Sequence, residues 1–381
     1  MNVAFDASAV LGRSGIERYS REVIRALTAL DQGVVATLIG SKDSTAALEG
    51  YFGRSESIDV RAVLSHERAL GAPLRRLMRV VQRRQWDAAA ANVDLVHILG
   101  PQKVLPHKRP LVVTIHDLFP MYDAMGIEGT LKSKFPRRIA RQLRAASAVM
   151  CPSAYVASTI RKHFPWYTGP IHVTPLAASD EFAPTPMTES VQTRFGIERP
   201  YLLFIGRLDG RKNLDRMLDA WNMLPAGVRS AVNFVLVIAG GDDAIERFRS
   251  ARLQKFQDGS VRILKDVATS EIVQLLSSAR ALAFATLGEG FGLPVIEAMK
   301  CGCPVITSST TSLPEVGGDA ALYVDPMSVD DIASAMQRCI DDDELVSMMR
   351  ERGLVQSSAF TWKATAQATL DVYRSVVGTH G

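Results

Sequence analysis

Three glycines alternate around a carboxylate in Gly288-Glu289-Gly290-Phe291-Gly292, and a second carboxylate, Glu297, follows eight positions after the first within Leu293-Pro294-Val295-Ile296-Glu297-Ala298-Met299. Glycines at alternate positions let backbone come close to a bound group. Pro294 fits the first turn of a helix, where its missing N–H costs nothing. The segment therefore reads as a loop entering a helix N-terminus, with Glu297 inside the helix. Such a terminus exposes unpaired N–H groups and a partial positive charge, which suits phosphate. Glu297 lies between Ile296 and Ala298 on a helix otherwise fit for a core. An ionised carboxylate there is costly unless something hydrogen-bonds to it, either a neighbouring backbone group or a ligand hydroxyl such as a sugar's.

Gly206-Arg207-Leu208-Asp209-Gly210-Arg211-Lys212-Asn213 is a second constellation. Its cations sit in a loop leading into a helix, where they oppose the helix dipole. The turn is either a solvated basic loop or a diphosphate clamp, since guanidinium and ammonium groups bind phosphate oxygens strongly. Arg207 and Lys212 are the better phosphate candidates. His116-Asp117 follows Val112-Val113-Thr114-Ile115 and is either a satisfied polar pair or a group facing ligand at a strand mouth. Gly12-Arg13-Ser14-Gly15 is either an ordinary turn or a place where phosphate or sugar meets backbone N–H groups. No strand-to-helix turn reads G-x-G-x-x-G, which argues against a nicotinamide or flavin dehydrogenase, and no P-loop occurs. Asp341-Asp342-Asp343-Glu344 reads as a helix cap rather than a metal site. No metal-ligand spacing appears.

These residues need strands to place them. Val3–Phe5, Val34–Ile39, Asp94–Leu99, Leu111–Ile115 and Ala148–Cys151 read as buried parallel strands in the first half. Tyr201–Ile205, Phe234–Ala239, Val261–Leu264, Ala281–Ala285 and Pro304–Thr307 do so in the second. Helical patterns lie between them, at Ile16–Leu30, Leu214–Leu224, Thr269–Ser278 and Ser328–Ile340. This βαβ grammar, given twice, predicts an α/β protein of two doubly wound domains. The Pro-rich stretch Pro175–Pro186 marks the boundary. Each chemically interesting loop follows a strand C-terminus, where ligands bind in such folds, and the cleft between two such sheets is the default site.

At 381 residues with 47% hydrophobic content, the chain fits two soluble globular domains. No uninterrupted apolar segment approaches the ~18 residues of a membrane span. Met1–Ala7 lacks the form of a signal peptide, so a cytoplasmic location is expected. Cys151, Cys301, Cys303 and Cys339 form no Cys-x-x-Cys pair and read as small buried hydrophobes. The net charge of +4 hides an asymmetry: residues 1–180 carry 24 Lys and Arg against 15 Asp and Glu. Arg75, Arg76, Arg79, Arg83 and Arg84 lie on an amphipathic pattern, and Lys132–Arg141 forms a second basic cluster. Each is a solvated face or a docking surface for anionic lipid. No aromatic-interleaved platform accompanies them, so nucleic acid is not expected.

Taken together, Glu289-(seven residues)-Glu297 with Gly288 and Leu293-Pro294 resembles the E-x7-E signature of family 4 glycosyltransferases. Matching features are the glycine loop after the first strand, Thr114-Ile115-His116-Asp117, Gly206-Arg207…Lys212-Asn213, Thr311-Ser312-Leu313-Pro314-Glu315-Val316 and Phe360-Thr361-Trp362. The resemblance implies a retaining enzyme of the GT-B fold, with two Rossmann-like domains facing a central cleft. Residues 1–183 would bind acceptor, residues 184–360 would bind donor, and a C-terminal helix at 361–378 would cross back onto the first domain. It implies that Arg207 and Lys212 hold the donor diphosphate, Glu297 the ribose and Glu289 the donor sugar. Gly290, Phe291, Gly292 and Leu293 would present backbone N–H groups. His116 would face the sugar near the reacting carbon, and Gly15 would approach the diphosphate. It implies no metal or other cofactor, consistent with the absence of D-x-D at a strand end. The run His116–Pro120 is similar to mannosyl- and related transferases of bacterial surface polysaccharide assembly. It favours GDP-mannose as donor, while the basic first domain suits a lipid-linked glycan acceptor and the basic clusters suit peripheral attachment to the inner face of the cytoplasmic membrane. Two alternatives stand beside this: a nucleotide-sugar epimerase or hydrolase using both glutamates, and a non-catalytic nucleotide-sugar-binding module.

Overall fold

A computed structural model of the chain describes residues 1–12, 15–30, 32–53, 55–63, 80, 81, 84–101, 108–121, 131–254, 256 and 258–378. Arg13, Ser14, Arg75, Arg76, Arg79 and Arg83 lie outside the described residues. The chain divides into two compact units: Met1–Met121 with Thr130–Leu176 and Trp362–Gly381, and a second built on Ala177–Thr361.

The first unit holds seven strands: β1 (Asn2–Asp6), β2 (Val35–Ser41), β3 (Ile58–Val63), β4 (Leu95–Ile98), β5 (Leu111–Thr114), β6 (Ala148–Cys151) and β7 (Ile171–Val173). They form one sheet in the order β3-β2-β1-β4-β5-β6-β7. Every pairing is parallel, with Val3 beside Ala36 on one flank and Leu95 on the other. β5 is wholly buried, as a strand covered by helices on both faces must be. The C-terminal helix Trp362–Gly378 belongs to this unit and lies against the helix Gly15–Ala29. It buries Trp362, Ala366, Thr369, Leu370, Tyr373 and Val376 along one stripe, and Thr365 Oγ1 donates to the Pro175 carbonyl at 2.6 Å.

The second unit holds six strands: β8 (Tyr201–Arg207), β9 (Asn233–Ala239), β10 (Val261–Leu264), β11 (Ala281–Phe284), β12 (Val305–Ser308) and β13 (Ala321–Val324). Their order is β10-β9-β8-β11-β12-β13, again all parallel. Both sheets are therefore doubly wound. The strand order reverses at β1 and β4 in one, and at β8 and β11 in the other, and the crevice at such a point is where ligands bind.

Three strands went unread in the sequence: β3, β7 and β13. All three are edge strands. An edge strand need not be apolar throughout, and each of these is largely half-buried, with Asp59 and Arg61 breaking the pattern of β3. The division between units falls at Leu176, seven residues before the expected 183. Ala177, Ala178 and Phe182 are buried. Lys300 Nζ donates to the Ser179 carbonyl at 3.1 Å and meets Asp180 at 3.0 Å, which fastens this segment to the second unit. All four cysteines are free and buried. Asp342 caps the helix Asp343–Ser358, accepting from Leu345 N at 2.8 Å.

Candidate active site

In the second unit the site grows from two loops at the switch point. The loop after β8 begins with Arg207 at the strand's last position, followed by a tight turn over Gly210–Lys212. Asp209 caps that turn by accepting from Lys212 N at 3.2 Å. Asn213 adopts a left-handed conformation (φ 58°) and donates through Nδ2 to the carbonyls of Ala285 and Pro326 at 2.8 and 2.7 Å. The loop after β11 is stitched to it: Leu287 N donates to the Arg211 carbonyl at 2.8 Å, and Arg211 donates to the Gly288 carbonyl at 2.8 Å. Because β8 and β11 are neighbours, residues far apart in sequence converge here.

The convergence is electrostatic. Lys212 Nζ lies 2.7 Å and Arg211 2.9 Å from the same oxygen, Glu289 Oε1. Lys212 and Glu289 are both buried, and Lys212 Nζ also lies 4.8 Å from the centre of the Phe284 ring. Burial alone would raise the Glu289 carboxyl, but Lys212 and Arg211 outweigh it and hold it below the ordinary carboxylate range. Arg207 is exposed, and its guanidinium pairs with none of the described residues.

Part of the charge beside this helix start is met within the protein, because one carboxylate, Glu289, lies against both Arg211 and Lys212. Arg211, placed behind Arg207 and Lys212 in the sequence reading, shares the carboxylate with Lys212. Its alternation with glycine in a basic turn gave no sign of which cation would turn inward.

The glycine loop ends at Gly292, with φ at 112°. A Cβ there would meet Leu313 Cδ2 at 2.7 Å, and the φ itself is strained for any L side chain, so glycine is favoured. The helix Leu293–Lys300 starts from it, with Pro294 in its first turn. Ser312 Oγ fixes the loop by donating to the carbonyls of Glu289 (2.7 Å) and Phe291 (2.9 Å). The Phe291 ring is buried edge-on against Phe360, 5.7 Å between centres. Glu297 is buried within the helix, as its apolar neighbours required.

The first unit carries the other named residues. Gly15 opens the helix Gly15–Ala29 and is exposed. Arg21 donates to the carbonyls of Val10 and Gly12 at 2.8 and 2.9 Å, tying down the loop after β1. His116 follows β5 and donates from Nε2 to the Leu99 carbonyl, 2.8 Å away, just past the neighbouring β4. That bond assigns the proton to Nε2 and leaves Nδ1 as an acceptor. Burial pushes His116 down to about 4, against the Leu99 carbonyl and Glu17, which favour its charged form. His116 is thus a neutral imidazole near pH 7. It does not pair with Asp117, whose Oδ1 accepts from Phe119 N at 3.2 Å. Among the described residues no group of three or more His, Cys, Asp or Glu side chains is placed to hold a metal ion.

Two doubly wound parallel sheets, each with glycine and charged loops at its switch point, are the architecture of the GT-B fold. Residues 13–181 match the family model for glycosyltransferase family 4, and residues 188–355 match that for glycosyl transferases group 1. The chain belongs to this family of enzymes. It is 28% identical over 382 residues to O-antigen chain mannosyltransferase B of Escherichia coli, covering 95% of this chain and 96% of that one. It is 24% identical to the serotype-specific mannosyltransferase WbdA of Escherichia coli over 75% of this chain but 37% of that protein. Among solved structures, sucrose-phosphate synthase of Thermosynechococcus elongatus superposes with a TM-score of 0.77 at 18% identity, over 99% of both chains. HepE of Anabaena, solved with UDP and glucose, gives 0.72 at 17% identity over 98% of this chain and 99% of that one. At those identities the structural likeness concerns the fold.

Proposed function

We propose that this glycosyltransferase is a retaining mannosyltransferase that moves mannose from GDP-mannose to a lipid-linked glycan in bacterial surface polysaccharide synthesis. The observation that carries the reading is the clustering, at the β8–β11 switch point, of an exposed Arg207 with no ion-pair partner among the described residues, a buried Lys212 and a helix N-terminus. Two cations and a set of N–H groups suit a diphosphate. The mannosyltransferase relatives support the sugar and the acceptor class.

In this mechanism the glycosidic bond to diphosphate breaks with oxocarbenium character, and negative charge grows on the leaving phosphate. Arg207 and Lys212 meet that charge, together with backbone N–H groups of Gly290, Phe291, Gly292 and Leu293, so no metal ion or cofactor is needed. Gly15 approaches the diphosphate. Glu297 binds the ribose. Glu289 keeps Oε1 on Lys212 and offers Oε2 to a sugar hydroxyl. His116, neutral and fixed by Leu99, places Nδ1 as an acceptor toward the sugar. The acceptor attacks the face the phosphate leaves, and the phosphate oxygen takes its proton. A carboxylate held below its usual range is poorly suited to acid–base duty, which disfavours the epimerase or hydrolase alternative.

Peripheral membrane attachment forms part of the proposal. The helix Leu131–Ala145 buries Phe135, Ile139 and Leu143 and exposes Lys134, Arg137, Arg141 and Arg144 in one stripe. Arg144 lies over the ring of Trp166, which is 46% exposed. A basic stripe beside an exposed indole suits an anionic bilayer surface. Among the described residues no helix is long and apolar enough to cross a membrane.

The test is thermal shift with GDP, UDP, dTDP and ADP, followed by product analysis with GDP-mannose. A nucleotide at about 100 times its dissociation constant should add about 2.7 kcal/mol. GDP should stabilise most, and the product should keep the donor's anomeric configuration. Stabilisation by UDP alone would overturn the donor assignment. Rapid release of free sugar or epimer without acceptor would overturn the reaction.

A further inference from the structure

Behind His116 the first unit buries a chain of four polar side chains where a parallel-sheet core would ordinarily be apolar. Tyr373 Oη, on the C-terminal helix, lies 2.6 Å from His97 Nδ1 on β4. His97 Nε2 lies 2.8 Å from Thr114 Oγ1 on β5. Thr114 Oγ1 lies 3.2 Å from Tyr19 Oη on the helix Gly15–Ala29. His97 and Tyr373 are fully buried, Tyr19 is 1% exposed and Thr114 2%. The Tyr19 ring then meets His116 edge-on, 4.7 Å between centres and 78° between planes. Thr114 is the last residue of β5, and His116 stands two positions beyond it.

Burying these groups is costly unless each is bonded, and replacing both partners of a buried hydrogen bond by apolar groups of the same shape is often nearly neutral. An all-apolar Phe, Leu, Val, Phe set would therefore serve packing as well. What the polar chain adds is orientation, because each hydrogen bond fixes the angle of the next group. Tyr19 cannot swing away without losing Thr114, which fixes where its ring stands beside His116, and Thr114 is held by an imidazole that Tyr373 holds from the far side. The last fixed object in the series is the flank of His116.

We propose that Tyr19, Thr114, His97 and Tyr373 are positioning residues that lock the ring plane of His116, keeping its Nε2 on the Leu99 carbonyl and its Nδ1 directed to the substrate. This rests on the reading of His116 as the sugar-facing group. It also gives the C-terminal helix a part in the reaction, through Tyr373 at the far end of the chain and through Trp362, whose ring lies 6.2 Å from that of Tyr19. Glu17 and His97 are the titratable groups that act on His116 electrostatically, so both must be unchanged or accounted for in any variant.

The test uses the full chain labelled with 15N-histidine. In the wild type, His116 should show one neutral tautomer, protonated at Nε2, down to pH about 5. Tyr19→Phe keeps the ring and removes the bond; Thr114→Val and Tyr373→Phe cut the chain at its centre and far end. In each, His116 should show mixed tautomers and titrate at higher pH. With GDP-mannose as the probe, kcat should fall about tenfold at unchanged KM, the signature of misplacement rather than lost affinity. Thr114→Ser should restore both. Wild-type His116 resonances in folded Tyr19→Phe and Tyr373→Phe proteins would overturn the proposal, even if their melting temperatures drop. Wild-type turnover in His116→Ala would instead overturn the catalytic reading, while the tautomer measurement still decides whether the chain holds the ring.

Discussion

Lys212 Nζ and Glu289 Oε1 are 77 residues apart in sequence and 2.7 Å apart in the fold, and Arg211 reaches the same oxygen at 2.9 Å. The carboxylate is thus a resident anion between two cations that a diphosphate would also attract. On the proposed reading, a donor diphosphate would exchange or share partners with Glu289 rather than charge an empty site. Buried ion pairs of this kind add little net stability, but leaving one member alone is expensive.

That relationship separates two substitutions. Lys212→Ala leaves Glu289 with Arg211, so stability should drop by only about 1–3 kcal/mol. Turnover should fall about 10²–10³-fold, the usual cost of losing one charge-stabilising group. Glu289→Gln removes the resident anion and frees both cations. GDP should bind that variant at least as tightly as the wild type while turnover falls. Calorimetric titration with GDP beside steady-state rates checks both; near-normal turnover in Lys212→Ala would remove the diphosphate clamp.

The pH dependence follows from two buried imidazoles. Burial pushes His116 down to about 4, and burial with the neighbouring His116 pushes His97 down to about 3. An unfolded histidine titrates near 6.5. Below that pH the unfolded chain takes up protons that the folded chain refuses, so stability falls as pH drops from about 6.5 toward 4. Glu289 works at the acid end: its depressed value contributes stability above the ordinary carboxylate range, lost as pH falls through the folded value. Urea midpoints across pH 4–7 should decline toward acid, with a shallower slope in His116→Gln. The acid limb of kcat/KM should lie well below 6.5, and a limb centred at 6.5 would contradict the neutral imidazole.

Gly292→Ala tests the loop geometry. Its φ of 112° is strained for any L side chain, and a Cβ would press on Leu313 at 2.7 Å. The strain should cost about 1–3 kcal/mol and reorient the first amides of the helix Leu293–Lys300. Melting temperature and GDP affinity should fall together. An unchanged GDP affinity would mean that those amides do not contact the nucleotide.

The basic stripe gives a salt-dependent expectation. Replacing Lys134, Arg137, Arg141 and Arg144 with Gln should abolish co-sedimentation with vesicles containing phosphatidylserine, while GDP binding stays unchanged. Wild-type binding should weaken steeply with added salt, since exposed charges are screened within about 10 Å at 0.1 M. Undiminished sedimentation of the quadruple variant would sink the proposed attachment.

The central strands were legible in the sequence because both faces of a doubly wound sheet are covered, which forces near-continuous apolar runs such as Leu111–Ile115 and Phe234–Ala239. So was the loop-to-helix turn at Gly292, since its glycine and proline answer to local backbone geometry. Edge strands β3, β7 and β13 escaped because an edge is only half covered, and its polar residues hide the pattern.

The sequence by itself determined which residue types stand in the loops at the strand ends, Arg207, Arg211, Lys212, Glu289 and His116, and that Glu297 stands in the helix that follows. Local propensity and periodicity suffice to place them there. Only the tertiary structure decided who meets whom. Strand order put β8 beside β11 and so gave Glu289 two cations, and it put β4 beside β5 and so gave His116 the Leu99 carbonyl. The return of the C-terminal helix brought Tyr373 to His97 across 276 residues. Pairing between distant strands depends on how the whole chain packs, and no spacing along the sequence encodes it.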